Sequence, residues 1–278
     1  MNAVFNGGRG RTWFARLTGG ARPVPGYPAS VLVADAELAG KPARFIAVVP
    51  DPDNPFPRAR NGEVGLIEGW QIARAVREML AAERGRQDKS AIVAVIDVAS
   101  QAYGRREEAF GIHQALAAAA AAYADARLAG HAVIGLIVGK AISGGFLAHG
   151  YQANRLIAFD DAGVMVHAMG KQSAARITMR TVEALESFAA TVPPMAYDIG
   201  NYASLGLLWR TLRLDNPDQP GSADIIAVRD ALGRALAEIM HDPAPGLKGR
   251  LGAANREASA RVRAELRRQW AEPGAQAR

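Results

Sequence analysis

The sequence predicts an α/β fold on a largely parallel sheet, and three observations carry that expectation. Short apolar, β-branched runs recur as "RFIAVVP" (Arg44 to Pro50), "AIVAVIDVAS" (Ala91 to Ser100) and "AVIGLIVG" (Ala132 to Gly139). The segments between these runs carry apolar residues at helical spacing instead. Strands alternating with helices of this length build parallel sheets through crossover connections. The third observation is size: 278 residues, 49% of them apolar, are enough to bury a core of that kind.

The elements follow in order. Residues 1–30 are expected to form a basic N-terminal arm, 31–215 the α/β domain, and 216–278 a basic helical extension. Arg44 to Pro50 reads as the first buried strand, and the proline-rich "PDPDNPFPRARNG" after it as a loop. Leu66, Trp70, Ala73, Val76, Met79 and Leu80 recur at three- and four-residue spacing, the pattern of an amphipathic helix. After the strand at Ala91 comes a long helix, expected from Glu107 to Leu128, whose alanine run favours helix and close packing. The strand at Ala132 leads into a short helix from about Gly144, then strands near "RLIAF" and "GVMVHA". Thr191 to Leu214 is helical in pattern, Pro217 to Ser222 reads as a loop, and basic helices close the chain.

Composition removes several classes of function. There is no cysteine, so disulfides, thiolate metal sites and a cysteine nucleophile are excluded. No metal site is expected. No stretch resembles a signal-peptide core or a membrane span, and a cytoplasmic protein with no membrane contact is expected. The net charge of +6 is concentrated at the two ends: Arg9, Arg11, Arg16 and Arg22, then Lys248, Arg250, Arg256, Arg261, Arg263, Arg267 and Arg268. No aromatic platform is interleaved with these arginines, so nucleic acid is not an expected partner.

The segment "GKAISGG" (Gly139 to Gly145) admits three chemistries. A phosphate loop needs a longer spacer before its Gly-Lys pair and a hydroxyl after it, where this chain has Ala141. A nucleophile elbow around Ser143 lacks its first glycine, and would need Asp160 or Asp161 with His167, or Asp198 with His241. Otherwise Ser143 is a small helix N-cap. The third reading uses backbone: glycines after a buried strand let N–H groups at a helix start face a ligand, as an oxyanion needs. A second loop, "DVASQAYGRREEAFG", has the same character, with Asp97 ending a strand and Tyr103-Gly104 before a helix. Both would open at the carboxyl ends of parallel strands.

The stretch from "IDVASQAYG" through "VGKAISGGFLAHG" to "GVMVHAMGKQSAARIT" resembles the acyl-CoA carboxyltransferase branch of the crotonase superfamily. Within it the chain is most similar to the gamma subunits of biotin-independent malonate decarboxylase, over at least Arg44 to Leu214. The branch's first loop reads D-T-P-G-A-x-x-G, matched here by Asp97, Tyr103 and Gly104, with Ala99 and Ser100 departing. Its second loop reads G-x-G-x-S-G-G, matched by Gly139, Ser143, Gly144 and Gly145, with Ala141 departing.

This resemblance implies a crotonase-like fold of stacked ββα units with peripheral helices. It also implies decarboxylation of a malonyl thioester through an acetyl-thioester enolate. The chain itself would bind no cofactor, because the substrate rides on the CoA-derived group of an acyl-carrier protein. The expected partners are a homologous beta subunit sharing the site, the carrier protein, and the alpha subunit that loads it. Backbone N–H groups of Gly144, Gly145 and Gly104 are the oxyanion candidates, with Ser143 at the turn. Tyr103, Ala102, Gly139, Lys140 and His167 are the substrate-binding candidates. Leu147 stands where hydratases of the superfamily carry a glutamate, so hydration is disfavoured. Three alternatives remain: the carboxyltransferase half of a biotin-dependent acyl-CoA carboxylase, a serine hydrolase using Ser143, and a non-catalytic scaffold subunit.

Overall fold

A computed structural model describes residues 8–242, 247, 250 and 253–271. The chain order is α1 (Gly8–Leu17), β1 (Val31–Leu38), β2 (Lys41–Val48), α2 (Leu66–Ala82), β3 (Ala91–Val98), α3 (Arg105–Ala109) and α4 (Ile112–Leu128). It continues with β4 (Val133–Ile142), α5 (Ser143–Ala148), β5 (Arg155–Phe159), β6 (Met165–His167), α6 (Lys171–Ile177) and α7 (Val182–Ala189). The last elements are α8 (Ile199–Ser204), β7 (Arg210–Leu212), α9 (Ser222–His241) and α10 (Glu257–Ala271).

The described strands form one sheet in the order β1-β2-β3-β4-β5-β7, with β6 pairing the far end of β4. Every pairing is parallel except the hairpin of β1 with β2. The expected strand at Arg44 is therefore the second arm of that hairpin. Its turn, Ala39-Gly40, has positive φ at both residues, which suits a two-residue connection. β3 and β4 are buried along almost their whole length, as central strands covered on both faces must be. Of the covering helices, α2 packs on α4 and α1 on α9.

Several expectations change on contact with the structure. The described part of the N-terminal segment is no arm: Trp13, Phe14 and Leu17 of α1 enter the core, and the Trp13 indole N–H donates to the Pro217 carbonyl at 2.8 Å. Its Arg9 pairs with Asp161 and Asp218, at 2.6 and 2.7 Å. In the C-terminal segment α9 buries Val228, Ala231, Leu232, Ala235 and Leu236, and only α10 stands clear with no buried residue. The long helix expected from Glu107 breaks into α3 and α4 at Gly111, whose φ of 80° leaves the helical region. The region 191–214 is α-helical only at α8, after one 3-10 turn at Pro193–Met195. Pro193 and Pro194 interrupt it first, Gly206 turns it at φ 69°, and the chain then joins β5 as β7. Lys248, among the expected basic residues, lies outside the described residues.

Candidate functional site

β3 and β4 are neighbours, so the loops that follow them emerge side by side at the carboxyl ends of the strands. Asp97 fastens this end of the sheet. One carboxylate oxygen accepts the Lys140 N–H at 3.0 Å and the other accepts the Gly10 N–H at 3.1 Å. A Cβ on Gly139 would overlap the Asp97 carboxylate, which explains the glycine there by packing alone. The Lys140 side chain is exposed.

The backbone turns sharply after β4. Ile142 is extended, and Ser143 then adopts φ 64°, a left-handed conformation that a non-glycine residue holds only at a cost. Ser143 is not the cap expected from the sequence. Ile142 takes the cap position, and the Ser143 hydroxyl donates to the Ala168 carbonyl at 2.9 Å, tying the turn to the segment after β6. Gly144 donates its N–H to the Gln101 side-chain oxygen at 2.6 Å. Gly145 meets the other loop so closely that a Cβ would overlap the Ser100 carbonyl. Its N–H lies in the first turn of α5, where no carbonyl of the helix can accept it.

The facing loop is held by the segment before α2. Val64 donates to the Ser100 carbonyl at 3.0 Å and accepts the Ala102 N–H at 2.9 Å. Ala102 is buried by this pairing, whereas Tyr103 is 63% exposed at the rim. Gly104 precedes α3, and a Cβ there would lie 2.6 Å from the Arg58 Nε. Glu107, in the first turn of α3, is buried.

His167 completes the group. On β6 it pairs in register with Ile142, the residue before the Ser143 turn. Its half-buried ring stacks on Tyr197 with centroids 3.9 Å apart and planes 16° from parallel. Burial lowers the His167 pKa, partly offset by a hydrogen bond with the Met169 backbone. Nδ1 lies 3.0 Å from the Met169 carbonyl and 3.2 Å from its N–H, so it faces backbone and no carboxylate. Asp161 is committed to Arg9, Asp198 caps α8 through Asn201, and His241 bonds the Ala237 carbonyl. None of the acid–histidine pairs a serine hydrolase would need is hydrogen-bonded, which counts against Ser143 as a nucleophile.

The sequence candidates Gly144, Gly145, Ser143, Gly139, Lys140 and His167 are thus gathered around one turn, with Ala102, Tyr103 and Gly104 on the loop beside it. Gln101 and Tyr197 were not anticipated. An uncharged glutamine and a tyrosine remote in sequence leave no pattern; only pairing across the sheet reveals them. A hollow of about 790 Å³ lined by Asp35, Lys41, Glu78, Glu83 and Ser90 sits at the opposite, amino ends of the strands. Ligands of parallel sheets bind at the carboxyl ends of the strands, so this hollow, away from the turn, is not the expected site. Among the described residues no group of three or more His, Asp or Glu side chains is placed to hold a metal ion, and no helix is long and apolar enough to cross a membrane.

Residues 59–270 match the family model of the malonate decarboxylase gamma subunit. A curated relative, the malonyl-S-ACP:biotin-protein carboxyltransferase MADD of Malonomonas rubra, is 31% identical over 200 residues, 71% of this chain. That match spans 65% of the relative's own length. A Pseudomonas malonate decarboxylase hetero-tetramer solved with coenzyme A contains a chain 68% identical, with a TM-score of 0.90, covering 94% of this chain and 99% of that one. The Pseudomonas MdcD–MdcE hetero-dimer gives 65% identity and a TM-score of 0.87 over the same shares. Transcarboxylase 12S, at 18% identity and a TM-score of 0.63 over 84% of this chain and 42% of its own, shares the fold. The fold class is accordingly that of the crotonase-like carboxyltransferases.

Proposed function

The chain belongs to the family of malonate decarboxylase gamma subunits, and from that premise we propose that it forms one half of a malonyl-thioester decarboxylase, paired with a homologous beta subunit. The substrate is malonate held as a thioester on the prosthetic group of an acyl-carrier protein. The C–C bond to the carboxylate breaks, carbon dioxide leaves, and the electron pair passes into the thioester carbonyl as an enolate. Protonation at carbon then gives the acetyl thioester. The enolate oxygen is the species to be stabilised, and each well-placed N–H donor contributes about 3–4 kcal/mol.

The observation that carries this reading is the close meeting of the two loops at Gly145, at the carboxyl ends of the neighbouring strands β3 and β4. Gly144, Gly145 and Gly104 are the proposed donors, with Ser143 fixing the turn. Tyr103 and Ala102 border the path of the pantetheine arm. His167, whose pKa burial lowers, lies beside the turn as a hydrogen-bonding group for the reacting thioester. Gly139 and Lys140 support the turn, Gly139 by its close packing on the Asp97 carboxylate and Lys140 through its N–H to it. The carrier protein, generally acidic, meets the arginines of α10, and the alpha subunit loads it.

The relative from Malonomonas is named for transfer of a carboxyl group to a biotin protein, which keeps a biotin-dependent reaction as the second reading. The two separate in one assay. The chain assembled with its beta subunit and supplied with malonyl-carrier releases carbon dioxide in a mixture depleted of biotin proteins. Release that needs added biotin protein would favour the carboxyltransferase instead.

A further inference from the structure

The Gly144 N–H, one of the proposed enolate donors, is already engaged: the Gln101 carboxamide oxygen accepts it at 2.6 Å. A carboxamide carbonyl has the planar shape of a thioester carbonyl, with an accepting oxygen on an sp² carbon. We infer that Gln101 is an internal stand-in for the substrate, holding the Gly144 N–H in place and yielding it when the thioester oxygen arrives. This inference rests on the decarboxylase reading of the turn.

The way Gln101 is held fits that role. Its backbone is fixed: it bridges Val64, its carbonyl accepts the Tyr103 N–H at 2.9 Å, and its N lies 3.2 Å from where a Gly145 Cβ would stand. The side chain, by contrast, is secured only by the bond to Gly144; its Nε2 has no partner among the described residues. Leu116 Cδ1 lies 3.5 Å from where a Gly144 Cβ would stand, so an apolar side chain adjoins the same turn. A side chain on a rigid backbone and a single neutral hydrogen bond can leave at low cost. The net worth of such a bond corresponds to about two- to tenfold in an equilibrium constant. Without an acceptor on that N–H, the turn would present a half-buried unsatisfied donor in the absence of substrate.

The consequence is a competition between side chain and substrate that shows in KM. Gln101→Met keeps the length and removes the acceptor, and Gln101→Asn keeps the carboxamide but falls one methylene short. In the assembled complex both variants should lower the KM for malonyl-carrier by about two- to tenfold. Gln101→Glu places a carboxylate on the same N–H, a stronger charge-assisted bond, and puts negative charge where the enolate forms. It should raise KM and depress kcat. If the first two variants leave KM unchanged or raise it while the wild-type complex turns over, Gln101 is not a stand-in. Absence of turnover in the wild-type complex would instead remove the decarboxylase reading, and this inference with it.

Discussion

Three side chains show how single residues hold the carboxyl end of this sheet. Asp97 accepts from Lys140 and Gly10, so α1, β3 and β4 meet on one carboxylate. Ser143 spends its hydroxyl on Ala168 rather than on capping, which leaves the N–H groups of the turn for other acceptors. His149 lies fully buried beneath the turn, its ring nitrogens 3.1 Å from the Tyr123 hydroxyl and from the Val95 carbonyl. Burial pushes its pKa down from 6.5 to about 4, against a smaller opposing effect of the Val95 bond. The unfolded chain therefore takes up the proton first as pH falls. His149's contribution is intact above about pH 6.5 and is lost progressively toward pH 4, for a total of about 3 kcal/mol. Denaturant titrations at a series of pH values between 7 and 4.5 should show a shallower decline for His149→Gln than for wild type. Equal slopes would assign the acid sensitivity to other groups.

At the scale of elements, the turn between β4 and α5 and the loop between β3 and α3 were legible from glycines placed after β-branched runs. The β1–β2 hairpin was only half legible: "VLVADAEL" carries Asp35 and Glu37 on an edge strand, so it lacks the continuous apolar run that marks β2 and β3. Asp35 is there to pair with Arg44 across the hairpin, at 2.7 Å. The break at Gly111 was hidden because alanine-rich sequence on one side and charged sequence on the other both favour helix. The contacts of Gln101 with Gly144 and of Tyr197 with His167 were not legible at all. Each joins positions far apart in sequence that only the strand order brings together.

α10 is the element that the rest of the described residues leave uncovered. Its fifteen residues bury nothing, and Val262, Leu266 and Trp270, four residues apart, make one exposed apolar stripe beside Arg263 and Arg267. An isolated helix of this length is marginal in water, so a partner on this face is expected to stabilise it. Charge reversal at Arg263, Arg267 and Arg268 should weaken binding of the acidic carrier at low ionic strength, with the difference shrinking as salt screens it. Isothermal titration of the carrier onto the assembled complex reads this directly. Unchanged affinity at low salt would free these arginines of any docking role.

For the molecule as a whole, the parallel sheet does two things at once. It buries β3 and β4 on both faces for stability, and it brings two glycine-bearing loops together at one end, where the proposed site lies. Family membership points to the reaction, and the proposed place for its enolate is the turn at Gly144 and Gly145. What separates a catalytic half-site from a scaffold is whether the backbone of this chain carries transition-state stabilisation. Gly145→Ala addresses that, since its added Cβ presses on the Ser100 carbonyl and displaces the N–H groups of the turn. The decisive measurement is kcat for malonyl-carrier decarboxylation by the wild-type and Gly145→Ala complexes, at equal assembly verified by sedimentation. A half-site predicts a fall of about 100-fold in kcat, the scale expected for a misplaced oxyanion donor. A fully assembled Gly145→Ala complex with unchanged kcat would contradict the account and leave this chain as its partner's support.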